Sequence, residues 1–206
     1  DARTVLAAAL ADDSGYAAAW YGYARVLLQD GDSAAARRWF QGARDRDAIR
    51  FRAPADFSAV IRAVSREHGA VLVDFDSVFA SRSPGGIIGN ELICDHLHPN
   101  PDGYFLMARL LFDAIRGLGL LTDLDRSFEP PPAPYGVTAL DWEIGLMKVF
   151  AMVHRWPFPD SAVTVDDYRP QRDSTAARLA REYLYGHNIW SRAHHAMAEH
   201  LLRRGD

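Results

Sequence analysis

"AAAWYGYARVLLQDGDSAAARRWFQGARDRDAIR" (residues 17–50) decides the fold class of this chain. Trp20, Ala24 and Leu27 share one face of a 3.6-residue period, and Ala36, Phe40 and Ala43 repeat the pattern after Gly31. Small Ala24 and Ala36 let two antiparallel helices approach closely, while Trp20, Leu27 and Phe40 fill the groove between them. Gly31 supplies the helix-ending backbone conformation that a residue with a β-carbon resists. The pattern predicts a helical hairpin and a mainly α chain.

Trp20, Ala24, Leu27, Gly31, Ala36, Phe40 and Ala43 fall at the spacings of a tetratricopeptide repeat (TPR), and the stretch resembles one. That resemblance implies a helical scaffold holding a protein partner in its concave face. A second copy is expected near the C-terminus. "AWYGYARVLLQDGD" (19–32) aligns without gaps on "AHHAMAEHLLRRGD" (193–206), matching Ala24 to Ala198, Leu27 to Leu201 and Gly31 to Gly205. A lone first helix cannot bury its apolar face, so further sequence is expected to follow Asp206. The start on Asp1 rather than Met likewise suggests a processed or excised chain.

Between the two copies the texture changes. Pro54 opens a helix whose Phe57, Val60, Ile61 and Val64 keep helical period, and Gly69 ends it. "AVLVDF" (70–75) is a β-branched run suited to a buried strand of a parallel sheet. A Ser-, Pro- and Gly-rich loop (81–90) then leads to "CDHLHPNPDGY" (94–104). Asn100 and Pro101 make an N-cap and first-turn pair for a helix carrying Tyr104, Met107, Leu111 and Ile115 on one side. Helix, strand, loop and helix make one unit of an α/β fold. "EPPPAPYG" (129–136) reads as a stiff linker, followed by helices at 138–153, 173–185 and 188–204, with Pro157 closing the first.

Asp95 and His98 carry the chemistry. A histidine acts as a general base when one ring nitrogen takes a proton from a nucleophile and a carboxylate holds the other. Three residues of separation on a turn can fold the Asp95 carboxylate back towards the His98 ring. "DHLHPNPDGY", between such a strand and such a helix, resembles the last sequence block of the SGNH (GDSL) hydrolase family. The resemblance implies that Asp95 orients and His98 acts as base in a flavodoxin-like α/β domain cleaving an ester or O-acyl group of a carbohydrate or lipid, or transferring it. It also implies the organisation: a TPR-like hairpin at 1–50, the C-terminal segment of the hydrolase domain at 51–121, a Pro-rich linker at 122–137, and helices at 138–206 ending in an incomplete repeat.

The family's serine and oxyanion blocks are not found, so this chain alone is expected to be inactive. Gly31-Asp32-Ser33 reproduces the serine tripeptide but follows a helical stretch, so Ser33 is expected to cap the next helix. Asn90 is expected to cap a loop rather than bind an oxyanion. The alternative function is a TPR-type interaction scaffold with a vestigial hydrolase segment.

Composition narrows the rest. A formal net charge of −4, evenly spread, leaves no basic stripe for nucleic acid. The most apolar stretch, Leu140 to Val153, is broken by Glu143 and Lys148 and is too short to span a bilayer. Cys94, the single cysteine, reads as a small half-buried residue rather than a nucleophile. Asp95, His96 and His98 are residue types that bind zinc, but no further ligand lies nearby in sequence, and no metal or cofactor is expected. His194, His195 and His200 read as surface or groove residues of the last helix.

Overall fold

The computed structural model describes residues 1–120, 136–154 and 163–205. Most of the expected linker at 122–137, and Pro157, lie outside them. The chain divides into two units, residues 1–128 and 129–206.

The first unit opens with α1 (Ala2–Asp12), α2 (Ala17–Gln29) and α3 (Ser33–Arg46), packed in sequence order. Helix α1 was not foreseen by the periodicity of 17–50; it is capped by Asp1, whose carboxylate accepts from Thr4 N at 2.9 Å. The hairpin follows the pattern that predicted it. Ala24 and Ala36 are fully buried, and Leu27 packs beside them with Tyr23, Trp39 and Phe40 around the edge. The Trp20 ring lies against Gly42, where a Cβ would approach it to 2.6 Å. Trp20 also meets Trp39 at 4.4 Å between centroids, and the Arg46 guanidinium covers it at 3.7 Å. Gly31 ends α2 at φ 86°. The α3 cap is Asp32, accepting from Ala35 N at 2.9 Å, and not Ser33 as expected. Ser33 already has helical backbone, whereas a capping side chain must come from the residue just outside the helix.

Helix α4 (Ala55–Glu67) follows, its start tied to α3 where Asp45 accepts from Ala55 N at 2.9 Å. Its predicted apolar face is present, but no residue of α4 is buried. The expected strand at 70–75 does not form. Residues 70–74 have no regular secondary structure, and Phe75 already begins α5 (Phe75–Arg82), a helix the β-branched run concealed. A strand exists only by pairing, and among the described residues the sole bridge is an isolated antiparallel one, Ile93 to Pro99. The α/β part expected for 51–121 is therefore not seen; the described chain is mostly helical.

A short 3₁₀ turn (Pro84–Gly86) rests on α3. A Cβ on Gly85 would lie 2.7 Å from the Cβ of Ser33, and one on Gly86 would lie 2.7 Å from an Arg37 guanidinium nitrogen. Ile87 then packs on the hairpin core. Helix α6 (Pro101–Gly117) closes the unit, capped by Asn100 as predicted.

The second unit contains α7 (Ala139–Val153), α8 (Ser174–Leu184) and α9 (Trp190–Arg204), close to the predicted bounds. Thr138 and Asp141 form a reciprocal capping box at the start of α7. Leu140, Ile144 and Met147 of α7 meet Ala176, Leu179 and Ala180 of α8 and Ala193 and Met197 of α9 in one core. Glu143 is fully buried among them. Its carboxylate accepts from Gln171 N at 2.8 Å, Arg172 N at 2.5 Å, Asp173 N at 3.3 Å and the Tyr168 hydroxyl at 2.6 Å. Gly205 ends α9 at φ 77°, echoing Gly31. The echo is partial: Leu28 and its counterpart Leu202 are both exposed, but Ala24 is buried whereas its counterpart Ala198 is exposed.

Candidate functional site

The turn holding Asp95 and His98 is built by its own backbone. Cys94 N donates to His98 O and Asn100 N donates to Leu92 O, both at 2.9 Å, closing a narrow loop. Inside it, Asp95 Oδ1 accepts from Leu97 N and His98 N, each at 2.6 Å. This is the local turn that Asp favours, because its short side chain reaches the amides two and three residues on.

The other carboxylate oxygen, Oδ2, meets His98 Nδ1 at 2.7 Å. A carboxylate only accepts, so Nδ1 carries the proton and Nε2 of the neutral ring carries the lone pair. Burial divides the two partners sharply: the Asp95 side chain is 2% exposed and the His98 side chain 58%. Burial pushes the Asp95 carboxyl up, but the backbone amides of His98 and Leu97, with the His98 ring, pull it below the usual carboxylate value. The arrangement leaves one accepting nitrogen, free of the carboxylate, on a largely exposed ring held by a buried anion. Such a pair can take a proton from an approaching hydroxyl and stabilise the imidazolium that results.

Helix α6 holds the turn in place. Asn100 Oδ1 accepts from Gly103 N at 2.9 Å while its amide donates to Asn90 O at 2.9 Å. Asn90 thus serves the loop through its carbonyl, whereas a side-chain cap was expected. At Gly103 a Cβ would stand 2.2 Å from Leu92 O, so only glycine lets the helix start this close to the turn. The sequence reading missed Gly103, although its place three residues after the Asn100 cap is a usable signal.

The neighbouring candidates separate from the pair. His96 packs its ring on Phe51 at 4.8 Å. Cys94 donates from Sγ to His98 O at 3.3 Å. Burial, reinforced by the Asp95 charge, raises its thiol above the ordinary value, which disfavours a thiolate. Among the described residues no three His, Cys, Asp or Glu side chains gather as a metal-binding group. Ser33 sits in the first turn of α3 against Gly85.

In the second unit, His194 places Nε2 3.0 Å from Asp141 Oδ1 and Nδ1 3.0 Å from Trp190 O. His195 lies 3.2 Å from Glu199, and His200 lies 3.8 Å from Asp173. His194 thus sits in the groove between α7 and α9, while His195 is exposed. Among the described residues no helix is long and apolar enough to cross a membrane.

No curated protein and no solved structure matches the chain. The tetratricopeptide repeat family model matches residues 1–51, the stretch that contains α1, α2 and α3, and to that extent the chain is similar to a helical protein-interaction repeat.

Proposed function

We propose that this chain is a helical-repeat scaffold that holds a protein partner through its N-terminal hairpin. The observation that carries the reading is the α1–α3 array itself, with small buried Ala24 and Ala36 at the crossing and a TPR match over residues 1–51. Along α2 the outward positions Tyr21, Arg25 and Leu28 are exposed, one turn apart, and offer a mixed aromatic, cationic and apolar stripe. Replacing Arg25→Glu together with Leu28→Asp is expected to abolish recovery of a partner that wild type retains, with helix content unchanged. Equal recovery by both proteins refutes the reading.

A second reading is favoured by one specific observation, the 2.7 Å contact between a buried Asp95 side chain and a largely exposed His98 side chain. Here residues 51–121 are the C-terminal segment of an SGNH-type serine hydrolase. His98 is the general base, Asp95 its orienting anion, and an ester or O-acyl carbohydrate or lipid the substrate. His98 takes the proton of a serine hydroxyl supplied from outside this chain and returns it to the leaving alcohol; water or a second alcohol then discharges the acyl group. Under this reading the purified chain does not hydrolyse p-nitrophenyl acetate, whereas the complete protein does and loses that activity in His98→Ala. Hydrolysis by the isolated chain, or full activity of the complete His98→Ala protein, would sink it.

A further inference from the structure

Helices α7 and α9 both pack on α8, and one histidine joins them directly. His194 of α9 places Nε2 3.0 Å from Asp141 Oδ1 of α7 and Nδ1 3.0 Å from the carbonyl oxygen of Trp190. A carboxylate and a carbonyl only accept. The neutral ring carries one N–H and can serve one of them, so its other nitrogen turns a lone pair towards an acceptor. The imidazolium carries two and serves both. The Trp190 ring stacks on the imidazole at 3.9 Å and 30°, and an aromatic face favours the charged form of its neighbour.

The anion is built into the fold. Asp141 divides its oxygens: Oδ2 accepts from Thr138 N and Thr138 Oγ1 in the α7 cap, leaving Oδ1 for the ring. Burial pushes the Asp141 carboxyl up, but the Thr138 hydroxyl and amide, and then His194, pull it below the usual carboxylate value. Asp141 therefore stays charged throughout the range in which histidine titrates. Other charged groups nearby have their own partners. Glu143 of α7 is turned to the amides of Gln171, Arg172 and Asp173, and the Arg172 guanidinium lies over the Trp142 ring. On α8, Arg178 pairs with Glu182 and Arg181 with Asp166. On α9, His195 and Arg203 pair with Glu199, while His200 and Arg204 face Asp173. Lys148 stands about two turns of α7 beyond Asp141, and Arg192, two residues before His194, projects from another side of α9.

We propose that His194 is a pH-operated latch between α7 and α9, closed as an imidazolium and released as the ring is neutralised. The closed latch bonds both N–H groups, so the folded unit holds the ring proton more tightly than the unfolded chain does. Its stabilisation is complete on the acid side of the histidine range, at about pH 6 and below, and is lost as pH rises towards about 8. This change lies well above the weakening carried by depressed carboxyls, which begins near about pH 4. Neither functional reading uses His194, so the latch stands apart from both.

The test uses the full chain and two readouts. In nitrogen NMR spectra, both ring nitrogens of His194 are expected to carry a proton at about pH 6 and only one at about pH 8. Protection factors of the α9 amides are expected to fall about tenfold between those two conditions, the equivalent of one lost charge-assisted bond. His194→Gln, whose side chain cannot change charge, is expected to reduce that fall to less than about twofold. His195→Gln, on the exposed side of the same helix, is expected to leave it unchanged. A ring with a single N–H at the lower pH would overturn the proposal, as would wild-type protection that ignores pH or a fall that persists in full in His194→Gln. The ring spectrum needs no variant, so it decides the matter even where His194→Gln does not fold.

Discussion

Replacing Glu143 is expected to unfold the second unit selectively. Glu143 is fully buried and accepts three backbone amides and the Tyr168 hydroxyl. Glu143→Ala strands four donors, and each orphaned buried group costs about 1–3 kcal/mol. Water entering the void recovers part of that sum, so the measured loss should fall near the ~3–5 kcal/mol seen when one partner of a buried charged network is removed. A unit of roughly 80 residues holds about 4–12 kcal/mol in total, so the substitution consumes a large share. At about 4–8 °C per kcal/mol, its melting temperature drops by roughly 12–40 °C. Glu143→Gln keeps the volume and one acceptor and loses only the charge assistance, about 1–2 kcal/mol. Peptide-resolved hydrogen exchange is the assay, because it reports α7 and α8 separately from the hairpin. Exchange in α7 and α8 of Glu143→Ala that stays within about 1 kcal/mol of wild type refutes the assignment.

Other substitutions probe the first unit. Gly103→Ala drives a Cβ to within 2.2 Å of Leu92 O, a backbone atom that cannot swing aside, so a loss of about 1–3 kcal/mol is expected. The His98 Nδ1–H to Asp95 bond should weaken with it, seen as loss of the hydrogen-bonded imidazole proton in NMR spectra. Asp32→Ala should cost about 1 kcal/mol of hairpin stability by urea titration, whereas Ser33→Ala should stay within about 0.5 kcal/mol. Acid should weaken both units. The Arg62 guanidinium holds the Asp74 carboxyl well below the usual carboxylate range. Asp173, at the start of α8, is also lowered, first by the Ala176 amide. Carboxyls depressed in the folded state stabilise it above about pH 4 and lose that contribution as pH falls below it. Asp74→Asn should flatten that acid slope in the first unit, and equal urea stability at pH 3 and pH 7 would contradict the assignment.

What the sequence disclosed was what neighbours in the chain decide. The hairpin could be read because alanines and aromatics at fixed spacings specify a crossing without reference to anything distant. Asn100 with Pro101 announced α6 for the same reason, and three residues suffice to bring Asp95 to His98. Failures came where the deciding partner is remote or missing. "AVLVDF" carries a strand's composition, yet pairing needs a second strand, so residues 70–74 stay single and Phe75 enters α5. Periodicity located the stripe on α4 but could not tell that nothing within the described residues covers it. Glu143 looked like an interruption of an apolar helix; its amide partners lie about thirty residues downstream, beyond the reach of a local pattern. Helix α9 aligns on α2 letter by letter, but it packs through Ala193 and Met197 and leaves Ala198 outside.

Gly85 and Gly86 give the hairpin a footing of bare backbone, and the loop that begins there runs on into the Asp95–His98 turn. Modules strung on a slack tether can be exchanged or multiplied by recombination without regard for one another. Here a graft of a foreign repeat succeeds only if it brings a small residue where Ser33 stands and a pliable one where Arg37 stands. Side-chain size at Ser33 and Arg37 and the bare backbone at Gly85 and Gly86 therefore constrain one another.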